Sequence, residues 1–293
     1  MYTIAHNFQY YSKCLPHVEN PQNECITLLA DILKKNKTWI ILNTDYVLSI
    51  QNQIEFEKII EYRKNSMPIT KILKYKNFFN NRFAVDTNVL DPRNESEVLI
   101  ETVIEKFPNK NQPLNILELG VGSGCIILSL IDYYKKSKGI GVEISTSAIQ
   151  MAYQNACNLR LANRLILFCT HWKNLSKLYR NADIIITNPP YVASYDIENL
   201  ENSVKLYDPL VSLNGGVMYG AELYQEIFAV SRSVINKPEV DKSANHPRSR
   251  LLCECGYNNS NIIKRIAIHN NYQLESEHND INGITRVLCF CPI

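Results

Sequence analysis

No apolar run in this chain reaches the roughly 18 residues that a membrane span needs. The opening MYTIAHNFQYYSKC lacks the charged-then-apolar order of a secretory signal. No membrane partner is expected, and the compartment expected is a bacterial cytoplasm or an organellar matrix. Neither charge is in excess: 31 Lys and Arg face 29 Asp and Glu, a formal net charge of +2. So small a balance gives no strong field for scanning a polyanion, so direct nucleic-acid binding is not expected. None of the six histidines stands in an H-x-x-x-H spacing, and no nucleophile–His–Asp constellation is evident. Nine cysteines, an odd number without the spacing of a small disulfide framework, read as reduced and mostly buried. Cys253 with Cys255, and Cys289 with Cys291, share a strand face in each pair. If the strands were neighbours the four thiols could meet, but zinc sites usually have wider loop spacings, and strand packing is the expected role.

No glycine occurs before Gly120. Residues 1 to about 75 carry helical stripes instead: Ile26, Leu29, Ile32 and Leu33, then Phe56, Ile59, Ile60 and Tyr62. From there to Val89 aromatic and β-branched residues alternate, and a turn at Asp91-Pro92 leads into a helix that Ser96 or Asn94 would cap. Glu95 and Glu97 suit its positive end. The division expected is a helical domain over 1–75, a β-hairpin linker over 76–93 and a larger domain over 94–293.

From about residue 113 short apolar runs alternate with helical patterns. The spacing predicts strands at 114–120, 139–144, 165–170, 182–188, 250–256 and 286–291, with helices at CIILSLIDYYKK, SAIQMAYQNACNLR and AELYQEIFAVSRSVI. Such alternation implies a parallel sheet covered on both faces, its last two strands pairing with one antiparallel. The polar, proline-containing segment between Lys237 and Arg250 reads as an exposed loop.

Four groups of residues carry chemistry. Gly120-Val121-Gly122-Ser123-Gly124 ends a strand and opens a helix, so a ligand can approach the backbone with helix N–H groups aimed at it. It lacks the third glycine of the G-x-G-x-x-G dinucleotide pattern, which lowers a nicotinamide reading. Glu143 ends the next strand, where a carboxylate accepts from ribose hydroxyls. Trp172, after His171, would pack on an adenine or only close the core. Asn188-Pro189-Pro190-Tyr191 leaves a buried strand with two backbone donors removed. The carbonyls around Asn188 and Pro189 are free to accept, the Asn188 amide adds one acceptor and two donors, and Tyr191 adds a flat wall. Such a site suits a planar NH2 group, whose delocalised lone pair makes it a poor nucleophile. Proximity and preorganised electrostatics would then do the catalysis.

Together, ELGVGSG, Glu143 and TNPPY resemble the class I S-adenosylmethionine-dependent methyltransferases. MPITKIL, FAVDTNVLDPRNESEVLIE, NSVKLYDPLVSLNGG, LLCECGYNNSNII and DINGITRVL narrow the resemblance to the protein-(glutamine-N5) methyltransferases of peptide chain release factors, over about the whole chain. That family implies an α/β fold: a Rossmann-like seven-stranded domain preceded by a small helical domain, which helps hold the release factor, and a β-hairpin linker. It implies methyl transfer from S-adenosyl-L-methionine, with S-adenosyl-L-homocysteine as product, to the glutamine of a Gly-Gly-Gln loop in a class 1 release factor. Carried over, Gly120 to Gly124, Glu143, Trp172 and Asn188 contact the cofactor, and Asn188, Pro189, Pro190 and Tyr191 hold the glutamine amide. Phe83, Pro92, Arg93 and Glu97 fall on the linker motif, where Arg93 and Glu97 line the substrate channel or pair with each other. No metal is implied, and a monomer is expected. The sequence departs from the pattern at His171, where Asp is usual, after Gly215-Gly216, and before Arg250. The competing readings are a methyltransferase acting on adenine N6 or guanine N2 of a flipped base, and a catalytically silent cofactor-binding scaffold.

Overall fold

The computed structural model describes residues 2–16, 18–235 and 249–293. The loop expected between Lys237 and Arg250 therefore lies, over 237–248, outside the described residues. Two compact units are present, Met1–Tyr75 with Glu201–Tyr207 and Lys76–Leu200 with Asp208–Ile293.

The first unit is helical: α1 (Ile4–Tyr11), α2 (Pro21–Leu33), α3 (Lys37–Leu42), α4 (Ile50–Lys64) and α5 (Ile69–Leu73), with the single turn Asn202–Lys205 joining from far along the chain. The first four start on side-chain caps, Thr3, Asn20, Asn36 and Ser49, each accepting the backbone N–H three residues on; this satisfies a donor that the first turn leaves orphaned. Ile4, Leu28, Leu29, Ile40, Phe56 and Ile60 form its core, with Ile26, Ile32, Leu33 and Ile59 packed on the rim. Tyr62, included in the sequence stripe, is exposed. Arg63 clamps Glu24 through Nε at 2.6 Å and Nη2 at 3.2 Å, and donates to the Met67 carbonyl at 3.0 Å. That fork ties α2 to the end of α4.

The second unit begins in the hairpin of β1 (Tyr75–Phe78) and β2 (Asn81–Ala84) and continues through α6 (Glu97–Lys106), β3 (Asn115–Leu119), α7 (Cys125–Tyr133), β4 (Lys138–Glu143), α8 (Thr146–Asn158), β5 (Leu165–Cys169) and β6 (Ile184–Thr187). Numbering the turn Asn202–Lys205 as α9, it ends with α10 (Glu222–Val234), β7 (Arg250–Glu254), α11 (Ser260–His269), β8 (Tyr272–Asn279) and β9 (Thr285–Pro292). The seven-stranded sheet has the order β5-β4-β3-β6-β7-β9-β8, parallel except for β9, which is antiparallel to both neighbours. The expected pairing of the last two apolar strands is thus present as β7 with β9. The seventh strand, β8, and helix α11 carry no expectation from the segment readings. β8 is an edge strand whose buried Tyr272 and half-buried Leu274 alternate with polar residues.

Burial on both faces explains the apolar runs. Ile116, Ile184 and Ile186 face Leu99, Ile127 and Ala152 of α6, α7 and α8, while Leu117, Val142 and Ile185 face Tyr224, Phe228 and Ile263 of α10 and α11. The cysteine pairs separate for the same reason. Cys253 and Cys255 pack in the second layer and Cys289 in the first, and both Cys289 and Cys291 donate to Glu275, at 3.6 and 3.2 Å. Adjacent strands do not bring four thiols together, because Cys253 opposes Leu288 and Cys289 opposes Leu252.

Candidate active site

The strand order reverses between β3 and β6, the switch point outside whose carboxyl ends open α/β sheets bind ligands. A cavity of about 500 Å³ lies there, reached by Gly120, Gly122, Glu143, Trp172, Asn188 and Arg93. Val121, Ser123 and Pro190 also line it, whereas Gly124, Pro189, Tyr191 and Glu97 do not.

The glycine loop is held in place from both sides. Gly120, Gly122 and Gly124 have φ of 77°, 52° and 79°, a region that costs other residues strain. Gly124 is the N-cap of α7 and has no side chain to cap it, so the job falls to Glu118 on β3, whose Oε2 accepts the Ile127 N–H at 3.0 Å. Burial pushes the Glu118 carboxyl well above the ordinary range, against the pull of that amide, with the charge of Glu143 pushing further up. Asn155 of α8 braces the other side, donating to the Ser123 carbonyl at 2.9 Å while exchanging bonds with Ala84 of β2 at 2.7 and 3.0 Å.

Glu143 accepts three backbone amides: Gly122 at 3.1 Å on Oε2, and Ile144 and Ser145 at 2.8 and 3.0 Å on Oε1. A carboxylate has about four acceptor positions. The remaining one is on Oε2, at the cavity. Trp172 opens a 3-10 turn, Trp172–Lys177, its Nε1 donating to Glu226 of α10 at 3.2 Å. His171 caps that turn, Nδ1 accepting the Lys173 N–H at 3.2 Å. The histidine therefore does the capping work that an aspartate does at such a position.

Asn188 follows β6. Its Nδ2 donates to the Ser96 hydroxyl at 3.1 Å, and its buried Oδ1 has no protein partner. Tyr191 turns away from the cavity, its hydroxyl donating to Glu254 Oε1 at 3.3 Å at the end of β7. Burial raises the Glu254 carboxyl to about 7, opposed by the Ser96 hydroxyl, the Arg286 charge and the Tyr191 hydroxyl. Burial likewise raises the Tyr191 phenol, helped by Glu254. The N-P-P-Y segment is clamped by the stretch from Leu213 to Gly220. Val192 N–H donates to Leu213 O at 3.0 Å and Gly215 N–H to Val192 O at 2.8 Å. A Cβ on Gly215 would stand 2.6 Å from the Pro190 carbonyl, and one on Gly220 would overlap the Tyr191 carbonyl.

Arg93 lines the cavity but pairs with Asp208 at 2.7 Å, and Asp208 also accepts the Asp91 N–H at 3.1 Å. Glu97 instead accepts the Phe79 N–H in the hairpin turn at 2.9 Å. The two therefore do not pair with each other. Neither Ser96 nor Asn94 caps α6 by its side chain. Segment reading singled out Ser96 only as a cap, and left Glu118, Asn155 and Glu254 without roles, although ELG, ESE and LLCEC place three of these four inside quoted motifs.

Strand order, reversed β9 and glycine loop together define the class I methyltransferase fold. Residues 8–73 match the PrmC N-terminal domain and residues 89–203 the methyltransferase small domain. The chain is 30% identical over 260 residues to the release factor glutamine methyltransferase of Mycoplasma mycoides, covering 86% of this chain and 87% of that one. It belongs to the release factor glutamine methyltransferase family. It is also 28% identical, over 94% of its length, to a bifunctional methyltransferase of Rickettsia conorii, of which it spans 55%. A solved methyltransferase of Pyrococcus furiosus shares the fold at 14% identity and a TM-score of 0.50, over 81% of this chain and 98% of that one. Among the described residues no helix is long and apolar enough to cross a membrane, and no cluster of His, Cys, Asp or Glu is arranged to hold a metal ion.

Proposed function

We propose that the chain transfers a methyl group to the side-chain amide nitrogen of the glutamine in the Gly-Gly-Gln loop of a class 1 peptide chain release factor. The observation that carries the reading is the Asn188 amide, whose buried oxygen has no partner at the cavity. A buried acceptor without a partner costs about 1–3 kcal/mol, which an NH2 donor from a substrate recovers. S-adenosyl-L-methionine, when bound, supplies the methyl group. The residues suit it: the positive-φ glycine loop admits close approach, the remaining acceptor position on Glu143 takes a ribose hydroxyl, and Trp172 offers a flat apolar surface.

Asn188 Oδ1 accepts an amide proton of the glutamine, which holds the nitrogen at the cavity and favours its loss of planarity. No strong base is needed for this, since positioning alone is worth about 7–11 kcal/mol in well-oriented pairs. Pro190 and the Gly215–Gly220 clamp keep the segment that carries this acceptor rigid.

The test is incubation with labelled S-adenosyl-L-methionine and, separately, a release factor, its Gln→Ala loop variant, tRNA, rRNA and DNA. Label in the release factor that the Gln→Ala variant does not take up is the expected result. Label confined to nucleic acid overturns the reading in favour of an adenine or guanine amino group.

A further inference from the structure

Serine is among the strongest helix N-caps, yet Ser96, at the N-cap of α6 and 2% exposed, makes no capping bond. Its hydroxyl is used elsewhere, accepting Asn188 Nδ2–H at 3.1 Å. An asparagine amide has two ends of nearly the same shape, and rotation by half a turn exchanges an acceptor for two donors. In the flipped orientation Asn188 would turn N–H groups towards the N–H groups of a substrate amide. Something must therefore set which end faces the cavity. Ser96 is the partner that the amide has among the described residues: it holds Nδ2, while the buried Oδ1 has no protein partner. Without that contact neither end of the amide is bonded, and nothing distinguishes the two orientations.

We propose that Ser96 is a positioning residue that fixes the Asn188 amide with its oxygen towards the substrate. This rests on the glutamine reading of the site for its effect on turnover, but the orientation of Asn188 stands independently of it.

The experiment uses the full chain and the variants Ser96→Ala and Ser96→Thr, with two readouts. Turnover on a release factor is expected to fall about tenfold or more in Ser96→Ala, the worth of one hydrogen bond, with the KM for S-adenosyl-L-methionine little changed. Threonine, which keeps the hydroxyl, restores most of the turnover. Independently, the Asn188 side-chain amide protons, followed by 15N NMR, are expected to be slow to exchange in the wild type and in Ser96→Thr, and fast in Ser96→Ala. Unchanged exchange and unchanged turnover in folded Ser96→Ala overturn the proposal, as does a threonine variant as impaired as alanine on both readouts. Should the wild type methylate no release factor, the substrate reading fails alone, because amide exchange still decides the role of Ser96.

Discussion

Glu143 Oε2 and the Gly122 amide, 3.1 Å apart, join the end of β4 to the middle of the glycine loop. One carboxylate thus holds the shape of the loop and keeps an acceptor for a ligand. Glu143→Gln retains the size of the side chain but replaces one acceptor oxygen by a donor NH2, facing either Gly122 and the ligand or the Ile144 and Ser145 amides. Hydrogen bonds to a charged group are worth about 1.5–3 kcal/mol, so S-adenosyl-L-methionine is expected to bind about 10- to 100-fold more weakly by calorimetry. Wild-type affinity in the variant would remove Glu143 from the binding site.

Asn188→Ala removes the acceptor at the end of β6 and leaves the Glu143 anchor intact. Loss of one preorganised polar group at a reacting centre costs about 10²–10³ in kcat. That fall is expected with cofactor affinity within a few fold of wild type, measured by single-turnover kinetics and calorimetry side by side. A variant that turns over normally would refute the mechanism.

The buried Glu254 carboxyl, raised to about 7 by desolvation, links stability to pH. Because the folded state holds its proton more tightly than the unfolded one, its contribution is complete below the unfolded value near 4.5 and is lost as pH rises through about 7. The loss amounts to roughly 3 kcal/mol. Denaturant unfolding at pH 5 and pH 8 is expected to show wild type losing ground to Glu254→Gln over that interval. Equal changes in the two proteins would mean that Glu254 titrates normally.

Gly220 has a φ of 71° and lies against the Tyr191 carbonyl. Alanine there meets both the left-handed strain of about 1–2 kcal/mol and a collision with backbone, so Gly220→Ala should lower the melting temperature and reduce kcat together. If calorimetric scans and turnover both match wild type, the Leu213–Gly220 clamp is not what holds the N-P-P-Y segment.

In the first unit Arg63 and Glu24 have side chains only 10% and 20% exposed. Arg63→Ala leaves the Glu24 carboxylate beside apolar helices without its partner, at a cost of about 3 kcal/mol. Urea unfolding of the full chain, followed by a probe on α2, is expected to show it. An unchanged midpoint would place Glu24 in water.

The parallel strands were legible because burial on both faces leaves a continuous apolar signature, as in Ile184–Thr187. The edge strand β8 was not, since Tyr272 and Leu274 alternate with Gln273, Glu275, Glu277 and Asn279 and leave no continuous apolar run. Glu97 and Arg93 illustrate the limit of motif reading. They are four residues apart in one motif, yet the first turns to the hairpin and the second to Asp208, more than a hundred residues on.

The sequence by itself determined the class of element at nearly every apolar stretch, the glycine loop and the N-P-P-Y exit, because periodicity, φ restrictions and missing donors are local properties. Tertiary structure alone decided that Cys253 and Cys289 lie on opposite faces, that Ser96 serves Asn188 rather than its own helix, and that Glu254 stands behind Tyr191. Those are matters of strand register and of which buried polar atoms find partners, and both are settled only when distant segments pack together.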